Sequence, residues 1–124
     1  MKVLLIESES PVRERLAGEI LELPDVRLEI QDPYDAGMDR AMAQLHPDVV
    51  LIDIDLSRGK GLEIIKRLHE RRAEGTPIIV ALASSNSLQY RARCHEAGAV
   101  FFFNRLCEQD WLLDSLVRIQ EQLR

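Results

Sequence analysis

Four short runs, residues 3–6 (after Lys2), 49–52, 78–83 and 100–103, are apolar with no polar alternation. That pattern predicts strands covered on both faces, as in a parallel sheet flanked by helices. A fifth segment behaves differently: Val26, Leu28 and Ile30 alternate with Arg27, Glu29 and Gln31, which predicts a half-exposed strand at a sheet edge. Between these runs the period changes to three and four. Val12, Leu16 and Ile20 follow Ser10-Pro11, an N-cap and a proline at the first helical position. Ala36, Met38, Ala41, Met42 and Leu45 make a second helix that stops near His46-Pro47. Residues 61–73 carry Leu62, Ile65 and Leu68 on one face and Lys66, Arg67, Glu70, Arg71 and Arg72 on the other.

A fourth helix is predicted over residues 88–97, entered from the polar Ser84-Ser85-Asn86-Ser87 and ended by Gly98. The last runs over 107–123, with Leu112, Leu116, Ile119 and Leu123 as its stripe. Five strands alternating with five helices predict an α/β fold. Right-handed crossovers then give a doubly wound, five-stranded parallel sheet of order 2-1-3-4-5. In that order the first and third strands are neighbours, so Glu7, Ser8 and Asp53, with Glu9 and Asp55 nearby, gather at one crevice. Asp53 is expected to leave the dry interior at the carboxyl end of its strand, where open α/β sheets place ligands.

Length and charge narrow the reading. A chain of 124 residues is sized for one domain and predicts no separate output module. With 16 basic and 21 acidic residues the net charge is -5, against direct nucleic-acid binding by general electrostatics. Only four apolar residues separate Lys2 from Glu7, so neither a signal peptide nor a membrane span is predicted there, and the expected location is the cytoplasm. Cys94 and Cys107 lack Cys-x-x-Cys spacing and read as two reduced thiols. His95 does not alter this, since adjacent helical residues point to different faces.

Five segments in order carry a family likeness: Lys2-Val-Leu-Leu-Ile-Glu-Ser-Glu-Ser-Pro-Val-Arg, His46-Pro-Asp-Val-Val-Leu-Ile-Asp-Ile-Asp-Leu, Gly59-Lys-Gly-Leu-Glu-Ile-Ile, Thr76-Pro-Ile-Ile-Val and Glu96-Ala-Gly-Ala. Over essentially its whole length the chain resembles the receiver domain of bacterial two-component response regulators, a flavodoxin-like fold. The resemblance implies that residues 1–124 form one receiver domain. It also implies that Asp53 is the phosphoacceptor, served by a histidine kinase or phosphotransfer protein and read by a downstream protein partner. It further implies a weak Mg2+ site at Glu7, Asp53 and Asp55, with Ser8 in place of the usual second acid.

Two further positions depart from the family pattern. Leu82 stands where a hydroxyl residue usually binds the phosphoryl group, and Arg105 where a lysine does, followed by Leu106 in place of the usual proline. Arginine keeps the charge but presents a planar fork instead of a compact ammonium. Phe102 occupies the position of a switching aromatic. Tyr90, Arg91, Phe102 and Trp111 are the partner-face residues, and a homodimer through helix four, strand five and helix five is in keeping with the family. Trp111 is expected to be partly buried, and the three consecutive phenylalanines to divide between the two faces of their strand.

Two other readings compete. A receiver fold kept only for its surface would act as a phosphorylation-independent interaction or dimerisation module. Asp53-Ile-Asp-Leu-Ser also looks like the start of a haloacid dehalogenase-type phosphatase motif, but that motif follows a first strand and needs more chain than remains after Asp55. No enzymatic activity toward an external substrate is expected.

Overall fold

The computed structural model describes residues 1–7, 10–32, 38–54, 61–70, 77–84, 88–104 and 108–123. Strands β1 (Lys2–Ile6), β2 (Arg27–Gln31), β3 (Val49–Asp53), β4 (Ile78–Ala83) and β5 (Phe101–Asn104) alternate with helices α1 (Ser10–Leu21), α2 (Met38–Leu45), α3 (Gly61–Glu70), α4 (Leu88–Ala97) and α5 (Gln109–Gln122). All pairings are parallel and the order is β2-β1-β3-β4-β5, as the alternation of elements predicts.

The absence of alternation in the inner strands has a direct structural counterpart. One face of the sheet carries Val3, Leu5, Val49, Leu51, Val80, Leu82 and Phe103, packed on Leu16 and Ile20 of α1 and Leu112, Leu116 and Ile119 of α5. The other carries Leu4, Ile6, Val50, Ile52, Ile79, Ala81 and Phe102, packed on Ala41 and Leu45 of α2, Ile64, Ile65 and Leu68 of α3 and Cys94 of α4. Every residue of β3 is buried, whereas β2, at the edge, leaves Ile30 exposed. Successive strand residues point to opposite faces, so a strand between two helical layers has no position to spare for a polar side chain.

The helix ends follow local chemistry. Helix α2 closes with His46 in the left-handed region (φ 48°), its N–H donating to the Met42 carbonyl at 3.1 Å, just before Pro47. Helix α4 closes at Gly98 (φ 127°), with the Ala99 N–H donating to the Cys94 carbonyl at 2.9 Å. A side chain at Gly98 would meet the backbone strain of that φ and the His69 ring of α3, 2.6 Å from a built Cβ.

Several sequence expectations shift. Strand β5 begins one residue later than expected and ends on Asn104, which is buried, while Val100 is exposed. In α5 the apolar stripe stops at Ile119. Leu123 caps the helix and is half exposed, and Gln120 turns inward instead to donate to the Pro24 carbonyl. Trp111, expected to be partly buried, is 63% exposed, because Leu112 and Leu116 take the sheet-facing stripe. The predicted start of α2 at Ala36, the end of α3 beyond Glu70, the polar loop 85–87 and Cys107 lie outside the described residues. Cys94 is fully buried in the cluster beneath α2, α3 and α4.

Candidate functional site

The carboxyl ends of β1 and β3 bring the acids together. Ile6 is the register partner of Ile52, so the residues that follow them, Glu7 and Asp53, stand side by side on neighbouring strands. Adjacent strands run about 4.8 Å apart, which puts two carboxyl groups within reach of one small ligand. Continuing the alternation of their strands, both fall on the face of Leu5 and Leu51. The Glu7 N–H donates to the Gln31 carbonyl at 3.2 Å and the Ile54 N–H to the Leu82 carbonyl at 2.9 Å, so backbone pairing continues past the strand ends and holds both positions.

Asp53 does not leave the interior as expected. It is 1% exposed, as is Glu7, and Ile54 beyond it is equally covered. Ile54 is covered by Gly61, the first residue of α3. A Cβ there would come within 2.7 Å of the Ile54 Cα, and without one the helix start lies directly on Ile54. Burial makes an ionised carboxylate costly unless charge or hydrogen bonds compensate, and two neighbouring carboxylates compound the cost. Each group makes an interaction, and among the described residues no hydrogen bond reaches Glu7 Oε2 or Asp53 Oδ2. Two inward-facing oxygens on adjacent strands suit a hard divalent cation, which takes oxygen ligands. Among the described residues, however, no group of three or more His, Cys, Asp or Glu is placed to hold a metal ion. Asp55 and Ser8 lie outside the described residues, as does Arg105.

Leu82 is the register partner of Asp53 and is fully buried, with Phe103 as its own partner on β5. It packs in the cluster under α1 and α5 and brings no polar atom to the crevice.

The other predicted residues sit together around β5. Phe101 and Phe103 share one face, with ring centroids 6.0 Å apart and planes 16° from parallel, and Phe102 occupies the other, the division expected of the three. Phe102 is 4% exposed. It packs in the cluster beneath α2, α3 and α4, and the Arg91 guanidinium lies over its ring at 4.9 Å from the centroid. Tyr90 packs at the edge of the same cluster, and Trp111 stands in solvent on the first turn of α5.

Two residues here have no counterpart in the sequence reading. Glu108 precedes α5, and its Oε1 accepts the Asn104 N–H at 2.9 Å while its own N–H donates to the Asn104 carbonyl at 2.8 Å. Arg91 Nη2 lies 3.7 Å from the same Oε1, and Asn104 Nδ2 donates to the Ser84 carbonyl at 3.4 Å. Neither acid nor amide sits in a motif. Only the polar break between the last strand and last helix marked the place.

The family model of the response regulator receiver domain matches residues 3–117. A protein-glutamate methylesterase/protein-glutamine glutaminase of Rhizobium johnstonii is 27% identical over 131 residues, which takes in all of this chain and 34% of that protein. This chain thus spans about a third of that relative's length. Among solved structures, the signal receiver domain of a DNA-binding response regulator from Colwellia psychrerythraea superposes with a TM-score of 0.87 at 22% identity, covering 98% of each chain. The Mn2+-bound response regulator Rcp1 superposes with a TM-score of 0.73 at 16% identity, covering 96% of this chain and 91% of that one. At these identities the structural likeness speaks for the fold.

Proposed function

The chain belongs to the response regulator receiver domain family, and from that premise we propose that Asp53 accepts a phosphoryl group from a histidine kinase or phosphotransfer protein. Signalling then runs through protein contacts on the side formed by α4, β5 and α5, by a downstream partner or a homodimer, without direct nucleic-acid binding. The observation that carries this reading is Asp53 itself, the last residue of the central strand, buried and beside Glu7.

In the reaction a carboxylate oxygen of Asp53 attacks phosphorus in line. The bond from phosphorus to the donor's imidazole nitrogen breaks, the nitrogen takes up a proton, and an acyl phosphate remains. Both reactants are anionic, so the step needs positive charge at the crevice. Receiver domains bind Mg2+ or Mn2+ at their acidic site. Here Glu7, Asp53 and Asp55 would hold such an ion, which supplies charge neutralisation when bound. Ser8 offers a hydroxyl where a second carboxylate would add charge, so affinity is low. Arg105 supplies charge as a planar fork, and Leu82 supplies no hydrogen bond to a phosphoryl oxygen.

No helix among the described residues is long and apolar enough to cross a membrane, and the proposed setting is the cytoplasm. No activity on an external substrate is part of the proposal. The esterase and glutaminase activities named for the Rhizobium relative are that protein's own.

Incubation with acetyl phosphate and Mg2+, followed by intact mass, tests the reading. A phosphoryl mass gain that disappears in Asp53→Asn is expected. No gain from acetyl phosphate and none from phosphorylated kinase would overturn it. A second reading, docking without phosphorylation, is favoured by the complete burial of Leu82 beside Asp53, where a packing residue stands at the crevice. Under the first reading, Ser8→Asp, Leu82→Thr and Arg105→Lys together raise the yield of phosphorylated protein; under the second they leave the partner interaction unchanged.

A further inference from the structure

Strand β2 is outermost on its side of the sheet, and among the described residues it pairs only with β1. Its peptide groups alternate in direction. The Arg27 N–H donates to the Met1 carbonyl and the Gln31 carbonyl accepts the Glu7 N–H, so the odd-numbered residues bond inward to β1. The N–H and C=O groups of Leu28 and Ile30 therefore point away from the sheet, and those of Val26 continue the pattern. The side chains along this edge are open as well. Arg27 and Glu29 are exposed on one face, and on the other Ile30 is 41% exposed in line with the half-buried Val26 and Leu28.

We propose that β2 pairs antiparallel with β2 of a second copy, centred on Leu28, so that the two five-stranded sheets become one. About a two-fold axis at that residue, Leu28 faces Leu28 of the second copy, Val26 faces Ile30, and Arg27 faces Glu29. The outward groups of Val26, Leu28 and Ile30 then meet as hydrogen-bonded pairs, and the exposed Ile30 gains an apolar neighbour. Each Arg27 gains an opposite charge directly across, twice over by symmetry. Lys2, the β1 neighbour of Arg27, adds positive potential to the same row. Sliding one strand by two residues keeps the hydrogen-bonding groups in phase but sets Arg27 against Arg27 or Glu29 against Glu29. An edge blunted against pairing carries charge of one sign, whereas opposite signs two residues apart select one register. The antiparallel arrangement points the carboxyl ends of the two sheets in opposite directions, so neither Asp53 crevice covers the other. Strand β5, and with it the side formed by α4, β5 and α5, lies at the far edge and stays open. The pairing goes beyond the phosphorylation reading and uses none of its residues.

Sedimentation velocity over a concentration series, joined to amide hydrogen exchange, tests the pairing. The wild-type chain is expected to pass from monomer to dimer as concentration rises, and exchange at Leu28 and Ile30 to slow with it, because their N–H groups become donors across the edge. Arg27→Glu and Glu29→Arg each set like charges across both symmetric pairs and should weaken the dimer about tenfold or more. Mixed together, the two variants should form a heterodimer, since an acidic edge then faces a basic one, and the double variant should recover the homodimer. Both positions are exposed, so the variants should fold. Ile30→Pro gives a test independent of charge: it removes an outward donor, leaves the β1 ladder intact and should abolish the dimer. A wild-type chain that stays monomeric up to about millimolar concentration overturns the proposal and leaves the edge to a strand of another protein. A dimer that survives both charge reversals overturns it too, whichever surface forms it, and so does a mixture of the two variants that fails to associate. Phosphoryl gain at Asp53 in a strictly monomeric chain would defeat the pairing and leave the phosphorylation reading standing; a dimer with no phosphoryl gain would do the reverse.

Discussion

Replacing Leu82 by threonine places a hydroxyl beside Asp53 in the core, and its cost can be worked out beforehand. Leu82 is fully buried among Val80, Leu51 and Phe103. Threonine has two fewer side-chain carbons, each worth about 0.8 kcal/mol of burial, and the incompletely filled space brings the loss to about 2–3 kcal/mol. The hydroxyl then decides the outcome. Asp53 is its register neighbour, and a hydrogen bond to a carboxylate returns about 1.5–3 kcal/mol, whereas an unsatisfied buried hydroxyl costs about 1–3 kcal/mol more. Leu82→Thr should therefore destabilise by about 1 kcal/mol with Asp53 present and by about 3 kcal/mol or more in an Asp53→Ala background. Urea unfolding of the four proteins of this double-mutant cycle measures the coupling, given a common denaturant slope. A coupling below about 0.5 kcal/mol would refute the reasoning, because the hydroxyl and carboxylate would then not share the row that the β3–β4 register assigns them.

Gly61→Ala should lower the thermal midpoint, with a cost of about 1–3 kcal/mol, since the new Cβ meets Ile54 backbone at 2.7 Å and α3 must shift; the same variant should reduce the phosphoryl mass gain at Asp53. An unchanged midpoint would show that α3 is not seated on Ile54. Gln120→Ala should cost about 0.5–1.5 kcal/mol in urea unfolding, because it removes the donor of a part-buried hydrogen bond from α5 to the Pro24 carbonyl. An effect no larger than that of an exposed control such as Gln122→Ala would mean water replaces the amide without loss.

The fold was legible because its signals are local and repeated. Uninterrupted apolar runs at residues 3–6, 49–52 and 78–83 predict strands buried on both faces, and the alternation from Val26 to Ile30 predicts an edge. The order of those elements then determines which strands are neighbours, and so brings Glu7 beside Asp53 with no side-chain geometry needed. Leu82 was readable in the same way, as an apolar residue two places before a polar loop. The misjudged positions lie where an element ends. Asp53, Trp111 and Leu123 differ in burial from the expectation because exposure at a strand end or in a terminal helical turn depends on what another segment lays over it.

The sequence by itself determined the doubly wound sheet, the adjacent carboxylate pair and the apolar neighbour at Leu82, since these follow from the period of hydrophobic residues and from strand order. Tertiary structure alone decided that Asp53 is covered, that Phe102 faces inward, and that Arg91, Glu108 and Asn104 form one brace. The physical reason is the range of the interactions. Periodicity is written within one element, but a guanidinium over a ring and a carboxylate folded back on a strand end join residues from α4, β5 and the start of α5, and no local pattern records which charge will meet which.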